Sequence, residues 1–222
     1  IASACAISAP RGIHRLITLG ISAPRGAFTD SPPRELPIAR FQLSPALRAR
    51  SPFELSCTSM NELARIAQSQ FEAALAMLAE CLDGCPDQHW DSPIARYTFW
   101  QVAYHTLCFA DCYLARGDDA WQPHPTFHPA GRAELDGEYP SRRFTRRELI
   151  AYLGFCLDKV RTTFAAETTE SLQSPSGFPR HPFSRGELHL YNLRHIQHHT
   201  GQLSAFLRRV GIDTGWVKAG WR

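Results

Sequence analysis

Four times along this chain a Ser or Thr stands three residues before a Glu or Gln, directly ahead of an apolar stripe of helical period. The four pairs are Ser59 and Glu62, Thr98 and Gln101, Thr145 and Glu148, and Ser184 and Glu187. In this pattern the hydroxyl takes the N3 amide, and the N3 side chain reaches back to the N-cap amide. Two otherwise unpaired donors are satisfied at once, so the pattern marks where a helix starts. It predicts helices over "MNELARIAQSQFEAALAMLAECLDG", "YTFWQVAYHTLCFADCYLARG", "FTRRELIAYLGFCLDKVRTTFA" and "FSRGELHLYNLRHIQHHTGQLSAFLRRVG". In the first, Leu63, Ile66, Phe71, Leu75, Leu78 and Leu82 form the apolar stripe, and Gly84 and Pro86 end it. Tyr97 with Val102, Phe144 with Leu149 and Phe183 with Leu188 have staple spacing at the other three starts. Gly117 and Gly211 are the expected stops of the second and fourth helices.

No alternating strand pattern competes, so the expected class is an all-α four-helix bundle. The link between the second and third helices, residues 118–143, is long enough to cross from one end of a bundle to the other, so simple up-down-up-down order is not required.

Residues 1–58 read differently from the 59–222 bundle segment. They hold seven of the sixteen prolines, few acids, and a tandem "ISAPRG" at 7–12 and 21–26. This composition predicts disorder. A targeting peptide has the same bias, and an over-extended gene model is a third explanation, because the first Met is Met60. With seven Arg and three acids the extension carries +4 and the bundle −1 of the chain's net +3, leaving the bundle near neutral and without a nucleic-acid footprint. No apolar run approaches 18 residues, so no membrane span is expected. The seven cysteines outline no disulfide framework, and the expected location is the cytoplasm, with mostly reduced thiols.

Three of the ten histidines lie within "HIQHH" at 195–199. At about 100° per residue, His195 and His199 are about 40° apart and one turn along the axis, so both can reach one ion. His198 falls about 60° to the other side of His195. Asn192, His195, His199, Gln202 and Phe206 share a face. A pair with this spacing also arises on solvated helix faces. His105, on the apolar side of the second helix beside Val102, Cys108 and Phe109, is a third candidate from another helix. A buried neutral His needs a partner for its second nitrogen, and a metal would provide one.

"FWQVAYHTLCFADCYL", followed later by "HIQHHTGQLSAFLRRVG", resembles the DinB/YfiT-like superfamily of proposed metalloenzymes. The resemblance covers roughly residues 60–217 and rests on a His in mid helix two and on His-x-x-x-His-x-Gly-Gln, whose tail is Gly201 and Gln202. It implies a divalent metal at one end of a four-helix bundle, with His105, His195 and His199 as ligands. His198 and Gln202 would assist from behind them. Zinc or nickel comes first, with manganese or iron next. Three neutral imidazoles leave an open coordination position. That position could activate water in a hydrolase, or a thiol in a transferase. The resemblance favours a thiol-dependent S-transferase that uses a low-molecular-weight thiol on small electrophiles. A non-catalytic metal-binding bundle in stress response is the rival from another class. Family members are often homodimers, and the expected partner is a small-molecule substrate.

Other residues carry weaker signals. Cys108, Cys112, Cys81 and Cys85 read as core or rim before redox. His124 and His128 are also i, i+4, but Pro123, Pro125 and Pro129 forbid a regular helix there, so they are expected at the mouth of the pocket or on the loop surface. Trp121 and Phe127 would cover the site or pin the crossover. Asp111 and Asp119 are candidate carboxylates. Arg142, Arg143, Arg146 and Arg147 crowd a helix start, where cations are unfavourable, so an anion site competes with plain solvated surface.

Overall fold

The computed structural model describes residues 52–133, residue 140 and residues 142–221, with side chains described from residue 62 onward. Within these residues there are five α-helices and no β-strand. They are α1 (Pro52–Gly84), α2 (Phe99–Tyr113), α3 (Arg146–Ala165), the short α4 (Thr169–Gln173) and α5 (Arg185–Arg209). A 3₁₀ turn, Asp87–His89, follows α1. The expected properties of residues 1–51 lie outside the described residues.

Two of the predicted starts hold in full. Thr98 with Gln101 and Thr145 with Glu148 make reciprocal capping boxes. At α5 the Ser184 side chain accepts from the Glu187 amide. The first start differs: α1 begins at Pro52, seven residues before Ser59. Proline is tolerated in the first helical turn because its missing N–H would be unpaired there anyway. A Ser-x-x-Glu pattern marks only a local opportunity to start, and the chain here is already helical when it reaches Ser59.

Phe71, Leu75, Leu78 and Leu82 of α1 are fully buried, each contributing about 1.5–3 kcal/mol of hydrophobic burial. Leu63 and Ile66, expected on the same stripe, are 51% and 46% exposed. Between them Ala64 is buried in the core, and further along the C-terminal segment joins Ser69 and Gln70 through Gly220 and the Lys218 carbonyl.

Side-chain pairs give the helix directions. His105, Ala110 and Ala115 meet His199, Asn192 and Arg185, so α2 and α5 are antiparallel. Tyr104, Leu107 and Asp111 meet Tyr152, Cys156 and Lys159, so α2 and α3 are parallel. Phe71, Glu72 and Cys85 meet Phe164, Arg161 and Arg146, making α1 and α3 antiparallel. Phe71 meets His189 and His89 meets Phe206, so α1 and α5 are parallel. The bundle therefore runs up-down-down-up. Its principal contacts follow the order α1, α3, α2, α5 and back to α1. The parallel α2–α3 pair requires the long link to return the length of the bundle, as the sequence allowed.

Gly211 ends α5 with φ +85°, the left-handed cap expected of it. Gly117 does something else. Helix α2 stops at Tyr113, and Gly117 lies against Gly177, where an added Cβ would sit 2.9 Å from the Gly177 carbonyl oxygen. No described helix is long and apolar enough to cross a membrane.

Candidate metal centre

Helix α5 passes α2 in antiparallel contact, and the seam has polar layers. Arg185 donates to the carbonyls of Leu114 and Ala115, and Asn192 Nδ2 donates to the Ala110 carbonyl at 3.1 Å. These carbonyls lie at and just beyond the end of α2, where intrahelical donors run out. In the next layer His105 of α2 meets His195 and His199 of α5. The Nε2 atoms of His105 and His195 are 3.2 Å apart. Ring centroids are separated by 5.2 Å for His105 and His195, 4.8 Å for His105 and His199, and 4.6 Å for His195 and His199. One nitrogen from each ring can be chosen so that all three lie within 4.8 Å of one another.

The donor set fits a divalent ion. Two nitrogens each about 2.0–2.1 Å from one ion at octahedral or tetrahedral angles are roughly 2.8–3.4 Å apart, which brackets the His105–His195 spacing. His199 Nδ1 lies 2.9 Å from Gln202 Oε1. An amide oxygen only accepts, so His199 carries its proton on Nδ1 and keeps a lone pair on Nε2. Gln202 Nε2 is 3.3 Å from His198 Nε2, so the same amide links His198 to the back of His199. His198 itself is exposed, which separates it from the other three as helical geometry requires.

Electrostatics keep the site neutral. Burial, together with the nearby His199, pushes the His105 imidazole down to about 4. Burial, with His199, His105 and His198 around it, pushes His195 to about 2. Burial also lowers His199, against the raising effect of Gln202. Three imidazoles that stay unprotonated at neutral pH present lone pairs without competition from protons. His195 Nδ1 is buried and has no hydrogen-bond partner among the described residues.

The residues are half-buried rather than sealed in the core. Phe109, one turn after His105, packs on His105 at 4.7 Å and His195 at 5.5 Å between centroids. Tyr113, a further turn on, reaches His195 at 6.5 Å and His181 at 5.0 Å. Tyr113 thereby stands between the histidines and a cavity of about 660 Å³ lined by residues including Phe178, His181 and Phe183. Tyr113 did not stand out in the sequence, although i, i+4, i+8 spacing from His105 would have found it.

The weaker candidates go elsewhere. His128 is neither at a pocket mouth nor on the surface: it is 1% exposed, with Nδ1 3.1 Å from the Tyr104 hydroxyl and Nε2 2.6 Å from the Tyr152 hydroxyl. His124 packs on Phe127 and Phe155. Trp121 pins the crossover, its indole N–H donating to Asp111 Oδ2 at 3.0 Å. Asp111 also binds the Lys159 ammonium and so turns away from the histidines. Burial works against the Asp111 charge, but hydrogen bonds from His128 and Lys159 and the Lys159 charge hold its carboxyl below the usual range. Asp119 is exposed. Cys108 and Cys112 are buried, as a core role requires, and burial pushes the Cys112 thiol up to about 12. Cys81 and Cys85 are likewise buried, at about 12 and about 11. Three of the clustered arginines have carboxylate partners: Arg142 with Glu148, Arg143 with Asp91 and Arg146 with Asp87. Acids, not a missing anion, compensate the crowded start of α3.

Compared with known families, residues 70–203 match the model of the DinB superfamily, a span of more than half the chain that contains all three histidines. No curated protein matches the chain.

Proposed function

We propose that this chain, which belongs to the DinB superfamily, is a divalent-metal-dependent enzyme with His105, His195 and His199 as ligands, and that it transfers a low-molecular-weight thiol to a small electrophile. The observation that carries the reading is the convergence of three neutral imidazole nitrogens from two helices within 4.8 Å. Bound there, zinc or nickel would supply Lewis acidity that favours the deprotonated form of a thiol or water.

The chain's own residues supply the rest. The imidazoles contribute no charge, so the full positive charge of the ion would remain available. Gln202 holds the His199 proton on Nδ1 and keeps Nε2 turned inward. Phe109 covers one side of the pair formed by His105 and His195 and limits water there. Asp111 is committed to Lys159 and Trp121, so the near surroundings are imidazole and aromatic. This favours a nucleophile that needs no carboxylate base, which suits a thiol. Cytoplasmic location, a small-molecule partner and a homodimeric state belong to the same reading.

Hydrolysis is the second reading. His198 is exposed beside His199, ring centroids 4.8 Å apart, where it could take a proton from water. The test is metal analysis of the purified chain, followed by a screen of thiols with electrophilic acceptors, each with and without added zinc or nickel. One ion per chain and turnover that requires both thiol and metal are expected. Metal-dependent turnover without thiol would favour the hydrolase. A bound ion with no turnover would favour the non-catalytic bundle, and absence of any bound ion would overturn the metal reading.

A further inference from the structure

Asn192 is wholly buried, one turn before His195 on α5. Its Nδ2 donates to the Ala110 carbonyl at 3.1 Å, and this fixes which end of the amide is nitrogen. The other end, Oδ1, is buried without a partner among the described residues, and so is His195 Nδ1. The two atoms are chemically complementary. An amide oxygen only accepts. If His195 turns the Nε2 lone pair to an ion, its Nδ1 carries the proton and only donates. Residues i and i+3 on a helix have Cβ atoms about 5–6 Å apart, so the two side chains are neighbours on one face and one water can serve both. Such a water would accept from Nδ1–H and donate to Oδ1.

We infer that Asn192 is a positioning residue for His195, receiving the Nδ1–H hydrogen bond through one water and holding the ring with Nε2 toward the ion. This rests on the metal-centre reading above. Each α5 ligand then has an amide behind it: Gln202 contacts His199 directly, and Asn192 serves His195 at one remove. Metal-ligating histidines characteristically pass their second N–H to such an acceptor, and losing it lowers metal affinity about 10–100-fold.

A role confined to capping α2 makes a different prediction, and two variants separate them. Asn192→Ala removes both the acceptor and the donor to Ala110. Asn192→Asp keeps an oxygen acceptor, gives up that donor and adds a carboxyl whose charge would itself favour the ion, so restoration beyond the wild-type affinity is read as charge and not as positioning. Zinc affinity is measured by competition with a chromophoric chelator, alongside thermal unfolding of the metal-free proteins. The expected result is zinc binding weakened about 10–100-fold in Asn192→Ala and restored to within a few-fold in Asn192→Asp, although both lose the cap. Equal zinc affinity in wild type and Asn192→Ala would overturn the role of Asn192 while leaving the metal centre standing. If wild type takes up neither zinc nor nickel, the metal reading fails and this inference fails with it. Should Asn192→Ala not fold, ¹⁵N-histidine spectra of zinc-loaded wild type decide: a His195 Nδ1–H slow to exchange supports the inference, and ligation through His195 Nδ1 overturns it.

Discussion

His195 and His128 are two imidazoles of one bundle, the first at the α2–α5 seam and the second at the α2–α3 seam. Hydroxyls meet both nitrogens of His128, and Asp111 lies 3.7 Å from Nε2. Around His195 there are two other imidazoles, an aromatic wall and, among the described residues, no partner for Nδ1. His189 lies between the two: its Nε2 is 3.2 Å from Glu167, which Arg185 also binds, while its Nδ1 is buried without a partner among the described residues. Burial opposes the Glu167 charge, yet His189, Ser171 and Arg185 together hold its carboxyl down to about 2. Histidine content does not distinguish these sites. What distinguishes them is whether the fold supplies each ring with a hydroxyl or carboxylate, or leaves rings facing one another. The second arrangement satisfies its nitrogens poorly without a ligand.

The sharpest way to break this contrast is His195→Ala. If His195 is one of three ligands, as proposed, its removal should weaken zinc binding about 100- to 1000-fold, or about 3–4 kcal/mol, in a chelator competition, with little loss of metal-free stability. If affinity is unchanged, the two histidine environments do not differ in function. Next in size is His128→Ala, which opens a cavity in the core and takes one hydrogen-bond partner from each of the Tyr104 and Tyr152 hydroxyls, leaving them the Phe127 carbonyl and Asp111. Denaturant unfolding should show a loss of about 2–3 kcal/mol, while zinc stoichiometry remains as in wild type. Loss of zinc in that variant would mean that the seams are not independent.

A smaller effect comes from pH. In the unfolded chain an imidazole takes its proton near 6.5, whereas in the fold His105 waits until about 4 and His195 until about 2. Below 6.5 the unfolded chain therefore binds more protons. The metal-free fold should lose stability as pH falls from 6.5 toward 4 and gain nothing from these two groups above 6.5. Melting curves of the metal-free protein between pH 7 and 5 would show this, and His105→Phe should flatten the slope. Least of all, Gln202→Ala should weaken zinc binding about tenfold by freeing the His199 tautomer, readable by the same competition assay.

The meeting of His105, His195 and His199 was legible in the sequence because helical spacing makes His195 and His199 neighbours, because Thr98 and Ser184 announce the helices that carry the three residues, and because the family resemblance pointed to His105. The networks at His128 and His189 were not. Prolines around His128 correctly denied it a helix, but burial of a loop residue depends on Tyr152 of α3, 24 positions away. Gly117 was misread for a related reason: its constraint is the approach of Gly177, and no local pattern encodes that contact. Ser59 shows the converse, a local start signal set aside because Pro52 had already begun the helix. Short-range hydrogen-bond chemistry is readable from sequence, and pairings made by the folded topology are not.

The parallel course of α2 and α3 has a consequence for the order of events in folding. His105 and His195 are 90 positions apart, and closing a loop of that length costs about 4 kcal/mol of chain entropy. The three nitrogens cannot converge in a nascent chain or in any intermediate that lacks the α2–α5 seam. An ion captured by all three would therefore bind only chains whose last helix has docked. Metal uptake followed in time would serve as a clock for the completion of folding.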